Sequence, residues 1–222
     1  MELLYEDKHL CLAVKPVNVL SEDHPTQRCM PALLRQHYQE RKQHDYIATV
    51  HRLDKPVGGV MLFSRSSAVT GKLTGLIARH EVEKEYLAIL RGKPQEDEAT
   101  LTDLLFHDAT HNKSFVVSRE RRGVREARLH YRVLGYHAQE NLTLVKVRLH
   151  TGRTHQIRVQ FSHRKLPLLG DIRYGSKAPC PPALWSHHLA FVHPMTKKRV
   201  DVQALPPMEY PWTLFARELG AK

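Results

Sequence analysis

Two stretches of this 222-residue chain gather residue types that do chemistry. The first, HRLDKPVGGVML from His51 to Leu62, sets a single carboxylate, Asp54, just after Arg52 and just before a stiff Lys-Pro turn and two glycines. An apolar run follows and reads as a buried strand. The second, LHTGRTHQIRVQFSHRKLPLLGDIRYG from Leu149 to Gly175, ends a strand at Thr151-Gly152 and offers Thr154 as the cap of a helix. Arg153, His155 and Arg158 crowd onto that helix N-terminus, where backbone N–H groups lack partners. Cations on a positive helix end are unfavourable until an anion arrives, either a phosphate or a protein carboxylate. Asp54 is the well-placed carboxylate, so a pairing of Arg158 with Asp54 is expected. The arginine would hold the acid ionised and fix its orientation through charge-assisted hydrogen bonds. Spacing alone favours a plainer alternative, an ordinary structural Arg–Asp pair beside a phosphate clamp.

Several elements must position these residues. ELLYEDKHLCLAVKP reads as two short strands around a turn at Glu6–Lys8. Pro31 opens a helix whose Leu33, Leu34 and Tyr38 share one side. GGVMLFS is a buried strand, and Ser66 or Ser67 is placed to cap a helix with Val69, Leu73, Leu76 and Ile77 as its apolar stripe. EKEYLAILRG is the next strand, followed by an acidic polar connection, KPQEDEAT. KSFVVS, ARLHYRVLGY and NLTLVKVRLH alternate as three more strands. The SRERRGVREAR segment joining two of them carries five arginines and is either a solvated hairpin tip or a phosphate-contacting loop. WSHHLAFVHP is a further strand, and Pro206-Pro207 precede a closing helix, MEYPWTLFAREL. Many strands with few helices in mixed order indicate an α+β domain on a largely antiparallel sheet.

Composition narrows the function classes. No apolar run reaches the length of a membrane span, and acids within the first seven residues do not fit a signal peptide. Three scattered cysteines with no CxxC pair suit a reducing, cytoplasmic setting. A net charge of +11 suggests a polyanionic partner, most simply nucleic acid. No Walker loop, GxGxxG or HExxH is present.

LLYEDKHLCLAVKP, HRLDKPVGGVMLFSRS, KEYLAILRG, the long segment around HTGRTHQIR, and HLAFVHP occur in that order. Together they resemble the RluA-type pseudouridine synthases from about Leu3 to Pro194. Five ordered segments are far more specific than any one of them. The sequence departs from the family at PVGG, where Thr-Ser-Gly is more usual. The resemblance implies the pseudouridine-synthase fold: α+β, with a mixed, largely antiparallel central sheet flanked by helices and loops and an active-site cleft between two lobes. Residues 1–222 would form one catalytic domain, without the accessory RNA-binding domain that many relatives carry, and act as a monomer. The implied reaction breaks the bond between uracil and ribose in RNA, turns the base and rejoins it through carbon 5, with transfer RNA or ribosomal RNA as substrate and no metal, nucleotide or redox cofactor. Asp54 corresponds to the family's catalytic acid, Tyr86 of KEY to its active-site tyrosine and Arg158 of HQIR to the arginine paired with the aspartate. Arg52 corresponds to a residue that enters the RNA stack as the target nucleotide leaves it. Lys84, Arg153, His155 and Gln156, in the same motifs, are the other expected RNA contacts.

Two rivals stand beside this reading. His187, His188 and His193, or His107 and His111, suggest metal ligands, but no cysteine or acid lies at a convincing spacing, so no metal is expected. A non-catalytic RNA-binding or RNA-chaperone protein retaining the fold is the other, and an intact Asp54, Tyr86 and Arg158 set argues against it.

Overall fold

The computed structural model describes residues 2–220. In chain order these form β1 (Leu3–Glu6), β2 (Leu10–Lys15), α1 (Met30–Glu40), β3 (Ala48–Thr49), β4 (Gly58–Ser64), α2 (Ser67–Ala78), β5 (Glu83–Arg91) and β6 (Glu98–Asp108). Then come β7 (Lys113–Val117), β8 (Val124–His137), β9 (Leu142–Leu149), α3 (Gln156–His163), β10 (Leu184–Val192) and β11 (Arg199–Gln203). The chain divides into two units. One holds the residues up to Lys84 together with Ser186–Pro206, and the other holds Glu85–Trp185 and the chain from Pro207 on.

The first unit is built on β4. Every residue of GGVMLFS is buried, which is why this strand reads as an unbroken apolar run instead of alternating. β2 lies antiparallel beside it, from Leu10 opposite Ser64 to Lys15 opposite Gly59. β1 pairs with β2, β3 with β4 and β11 with β10, all antiparallel. Leu10, Leu12, Val60, Leu62, Leu189 and Phe191 pack against Val69, Leu73 and Leu76 of α2, burying its stripe as the spacing predicts, with Ile77 half-buried at the margin. Gly59 has φ +118°, and a Cβ there would stand 2.2 Å from the Ser186 carbonyl oxygen. Only glycine fits this approach, so the second glycine of PVGG is a backbone requirement.

The second unit carries β5-β9-β8-β6-β7 in that order, each neighbouring pair antiparallel. Phe161 of α3 meets Tyr131 of β8 edge-on, with ring centroids 5.4 Å apart. Val159 packs with Leu105, Ala127 and Tyr174.

The structure corrects several expectations. β6 and β11 are additional strands. In β6 only Leu101 and Leu105 are well buried, four residues apart, while Leu104 and Phe106 are half-exposed, so period-2 alternation is blurred. The closing helix is reduced to a single 3₁₀ turn, Trp212–Phe215; Pro211, with no N–H to donate, interrupts the helical pattern. Leu33 of α1 is half-buried, and Met30, Leu34 and Tyr38 form the buried side. Ser66 is the N-terminal flanking residue of α2, but its side chain makes no cap bond. Thr154 does not cap α3: His155 holds that position in the left-handed region at φ 56°.

Candidate active site

Asp54 occupies a tight turn closed by a bond from the Val57 N–H to the Asp54 carbonyl, 2.9 Å. The residues on either side of it are each held through their backbone. On the N-terminal side, the Ser21 hydroxyl donates to the Leu53 carbonyl at 2.7 Å and accepts from the Leu53 N–H at 3.0 Å. On the C-terminal side, the Lys55 carbonyl receives the Asn18 N–H at 2.9 Å and the Lys15 ammonium at 3.0 Å. Lys15 is fully buried, and its Nζ also donates to the Pro16 and Val19 carbonyls at 3.1 and 2.6 Å. Burial pushes its pKa down to about 8, with the negative charge of Asp54 pulling the other way. The acid therefore sits on a loop braced from both ends, with a buried ammonium as its electrostatic neighbour.

Other predicted residues in this unit take different positions. Arg52 is exposed and forms a 3.0 Å ion pair with Glu22, leaving it accessible to a polyanion. His51 accepts the Leu62 N–H through Nε2 at 2.9 Å. A nitrogen that accepts from a backbone N–H carries no proton, and burial, aided by the charge of Lys84, lowers the His51 pKa to about 3. The pKa of Lys84 is itself lowered by burial.

In the second unit, Tyr86 is buried on β5 opposite Val147 of β9. Arg158 is buried on α3, and its Nε and Nη2 donate to the two carboxylate oxygens of Asp171 at 2.7 and 2.8 Å. Asp171 is wholly inaccessible. This fork-on-fork pair fixes the plane of the guanidinium. Its cation lies 5.1 Å from the centre of the Tyr174 ring. His155 reaches the same tyrosine, its Nδ1 2.9 Å from the hydroxyl, and the hydroxyl also accepts the Ser114 N–H at 2.8 Å. His155 and Arg158 thus converge on Tyr174. Gln156 is buried and accepts from the Arg153 N–H at 3.0 Å and the Thr151 hydroxyl at 2.8 Å. That amide oxygen ties the Thr151–Arg153 segment to the first residue of α3, whose own first turn has no side-chain cap. Arg153 sends its Nε to the Glu126 carbonyl at 2.9 Å, so its guanidinium is partly engaged by backbone.

Reasoning from the sequence missed Ser21, Lys15, Asp171 and Tyr174. Lys15 belongs to AVKP and the last two to GDIRYG, segments that read simply as strand end and turn; Ser21 lies in an unremarked loop. Among the histidines that suggested a metal, His188 bonds Asp201 at 2.8 Å and His111 bonds Asp108 at 2.7 Å. Among the described residues, no three histidines, cysteines or acids are grouped to hold a metal ion.

The sequence model for RNA pseudouridylate synthase matches residues 9–163. A Bacillus subtilis protein described as an uncharacterized RNA pseudouridine synthase, YhcT, is 30% identical over 94% of this chain and 70% of its own length. The tRNA pseudouridine synthase C of Haemophilus influenzae is 30% identical over 99% of this chain and 98% of its own. The ribosomal large subunit pseudouridine synthase D of Zymomonas mobilis is 31% identical over 94% and 70%. Human RNA Pseudouridylate Synthase Domain Containing 4 superposes with a TM-score of 0.78 at 21% identity, over 99% of this chain and 93% of that one, a likeness of fold. The motifs, the fold and these matches lead to one conclusion: the chain belongs to the RNA pseudouridylate synthase family, isomerases that act on uridine in RNA.

Proposed function

We propose that this protein isomerises particular uridines of transfer RNA, ribosomal RNA or both, with Asp54 as the catalytic carboxylate. The observation that carries the assignment is the bracing of Leu53 by Ser21 and of Lys55 by Lys15 and Asn18, which presents the intervening acid on a rigid turn. Pre-set geometry of this kind is what a nucleophile or base needs. In the reaction the carboxylate attacks the anomeric carbon or removes the 2′ proton, and the uracil N1–C1′ bond breaks. The base turns and C5 bonds to C1′ as the carboxylate leaves that carbon or the proton returns to C2′; the C5 proton is then lost and N1 takes one up.

Arg158 is proposed to pair with Asp54 from a guanidinium already oriented by Asp171. Tyr86 is proposed to stack on the base and to assist loss of the C5 proton. Arg52 is proposed to fill the stack vacated by the extruded nucleotide, with Lys84, Arg153, His155 and Gln156 contacting RNA around it. Residues 1–222 are proposed to act as one catalytic domain, a cytoplasmic monomer. The near full-length match to a tRNA pseudouridine synthase C supports transfer RNA as the first substrate to test. Pseudouridine mapping of total cellular RNA with and without the gene tests the reading. Loss of one or a few defined pseudouridines is expected, and an identical map in both strains would overturn it.

A further inference from the structure

The second unit has a groove of about 480 Å³ beside α3, lined by Lys113, Phe115, His163, Ile172, Arg173 and Tyr174 among others. We infer that this groove docks one unpaired nucleotide of the RNA substrate, with its base stacked on Phe115 and its phosphate held by Lys113 and the neighbouring Arg173. The inference rests on the reading of this protein as an RNA-modifying enzyme and adds a binding site apart from the Asp54 loop.

The chemistry of the lining selects the ligand. Phe115 is 42% exposed and Ile172 68% exposed, so two large apolar side chains face solvent here. Lys113 and Arg173 supply cations, His163 adds a polar ring, and no carboxylate lines the groove. The Lys113 ammonium stands 5.5 Å from the centre of the Phe115 ring and 5.6 Å from that of Tyr174. An aromatic face with a cation beside it is the arrangement that holds single-stranded nucleic acid, since every base offers a π-face and every phosphate a charge. Two other grooves, each of about 430 Å³, lack this combination. One has Arg91, Lys165 and Lys177 but no aromatic ring. The other also has no ring, and Glu120 and Glu126 line it beside its arginines.

The walls are fixed before any ligand arrives. Arg173 Nη1 donates to the His111 and Asn112 carbonyls at 2.8 and 2.7 Å, tying a short 3₁₀ turn, Ile172–Tyr174, to the β6–β7 hairpin. The Ser114 N–H donates to the Tyr174 hydroxyl, and the Ser162 hydroxyl donates to the Tyr174 carbonyl at 2.7 Å. A groove with rigid walls gives up little conformational freedom on binding. Tyr174 also lies under Arg158, so an occupied groove is one side chain away from the Arg158–Asp171 pair.

The test uses the whole protein and a fluorescein-labelled decaadenylate, whose affinity is read by anisotropy at low salt. Decaadenylate contains no uridine and is no substrate, so its binding succeeds or fails independently of any isomerase activity. Phe115→Ala and Phe115→Leu should each weaken binding roughly five- to hundredfold, the range expected for losing one base stack, and Phe115→Trp should bind at least as tightly as the wild type. Circular dichroism of each variant confirms that this exposed position leaves the fold intact. Failure of the wild type to bind decaadenylate, or unchanged affinity in Phe115→Ala, would overturn the proposal. So would a Phe115→Leu variant that binds like wild type, because apolar bulk alone would then suffice.

Discussion

An arginine whose Nε and Nη2 are both taken by a fully buried carboxylate is a structural element as much as a chemical one. Arg158→Ala would leave Asp171 charged and unpaired in a site with no access to water. Breaking one side of such a pair costs about 3–5 kcal/mol, so a urea or thermal melt should show a large loss of stability. Arg52 is the opposite case: its side chain is 68% exposed and its partner Glu22 58% exposed. Surface pairs contribute about 0–1 kcal/mol, so Arg52→Ala should leave the melt nearly unchanged and reduce turnover most on structured stem-loops, where the base must leave a stack. Equal stability losses in the two variants would remove the distinction. His51 adds a pH dependence. Its folded pKa, about 3, lies below its usual value. Between these values the unfolded chain binds the extra proton, so stability from this group is complete near neutrality and declines as pH falls from about 6.5 toward 3. His51→Gln keeps an acceptor for the Leu62 N–H and should flatten that decline. A melt series showing equal acid sensitivity in both proteins would contradict the assignment.

The elements divide by how local their determinants are. Ser21 braces the Asp54 turn from outside any helix or strand, and both bonds of its hydroxyl go to one residue. Ser21→Ala would leave a buried N–H and carbonyl of Leu53 unmatched, at about 1–3 kcal/mol. The expected signature is a drop in kcat with RNA affinity maintained, restored by Ser21→Thr; a variant with wild-type kcat would show that the turn holds itself. Most of the scaffold was legible in the sequence. β2, β4, β5, β9 and β10 announce themselves through runs and alternation, and α1 and α2 through an opening proline and an apolar stripe. β6 and β11 were not legible, because half-exposed or short strands carry too little burial to write a pattern. Among the proposed site residues, Asp54 and Arg158 stood out by residue type and setting, and Tyr86 through motif resemblance. The tie of Arg158 to Asp171, the Ser21 bracket and the buried Lys15 ammonium are tertiary facts, since each joins residues whose proximity no spacing rule encodes.

The whole molecule carries +11 charges, and its RNA affinity should fall steeply with salt as phosphate contacts release counterions. The expected hairpin tip is instead the exposed β7–β8 connection, joining strands that flank β6 on either side; it holds Arg119, Arg121 and Arg122, with the Arg121 guanidinium 4.9 Å from the centre of the Phe106 ring. Replacing all three by alanine should reduce the salt slope if the tip touches RNA, and an unchanged slope would leave it as solvated surface. The braced turn and the basic, RNA-directed scaffold serve one proposed carboxylate, Asp54. Single-turnover isomerisation of purified transfer RNA by the wild type and Asp54→Asn, with RNA affinity measured alongside, tests that role most directly. The amide variant should keep its melt and its RNA affinity while pseudouridine formation disappears. Residual turnover within tenfold of the wild type would contradict it.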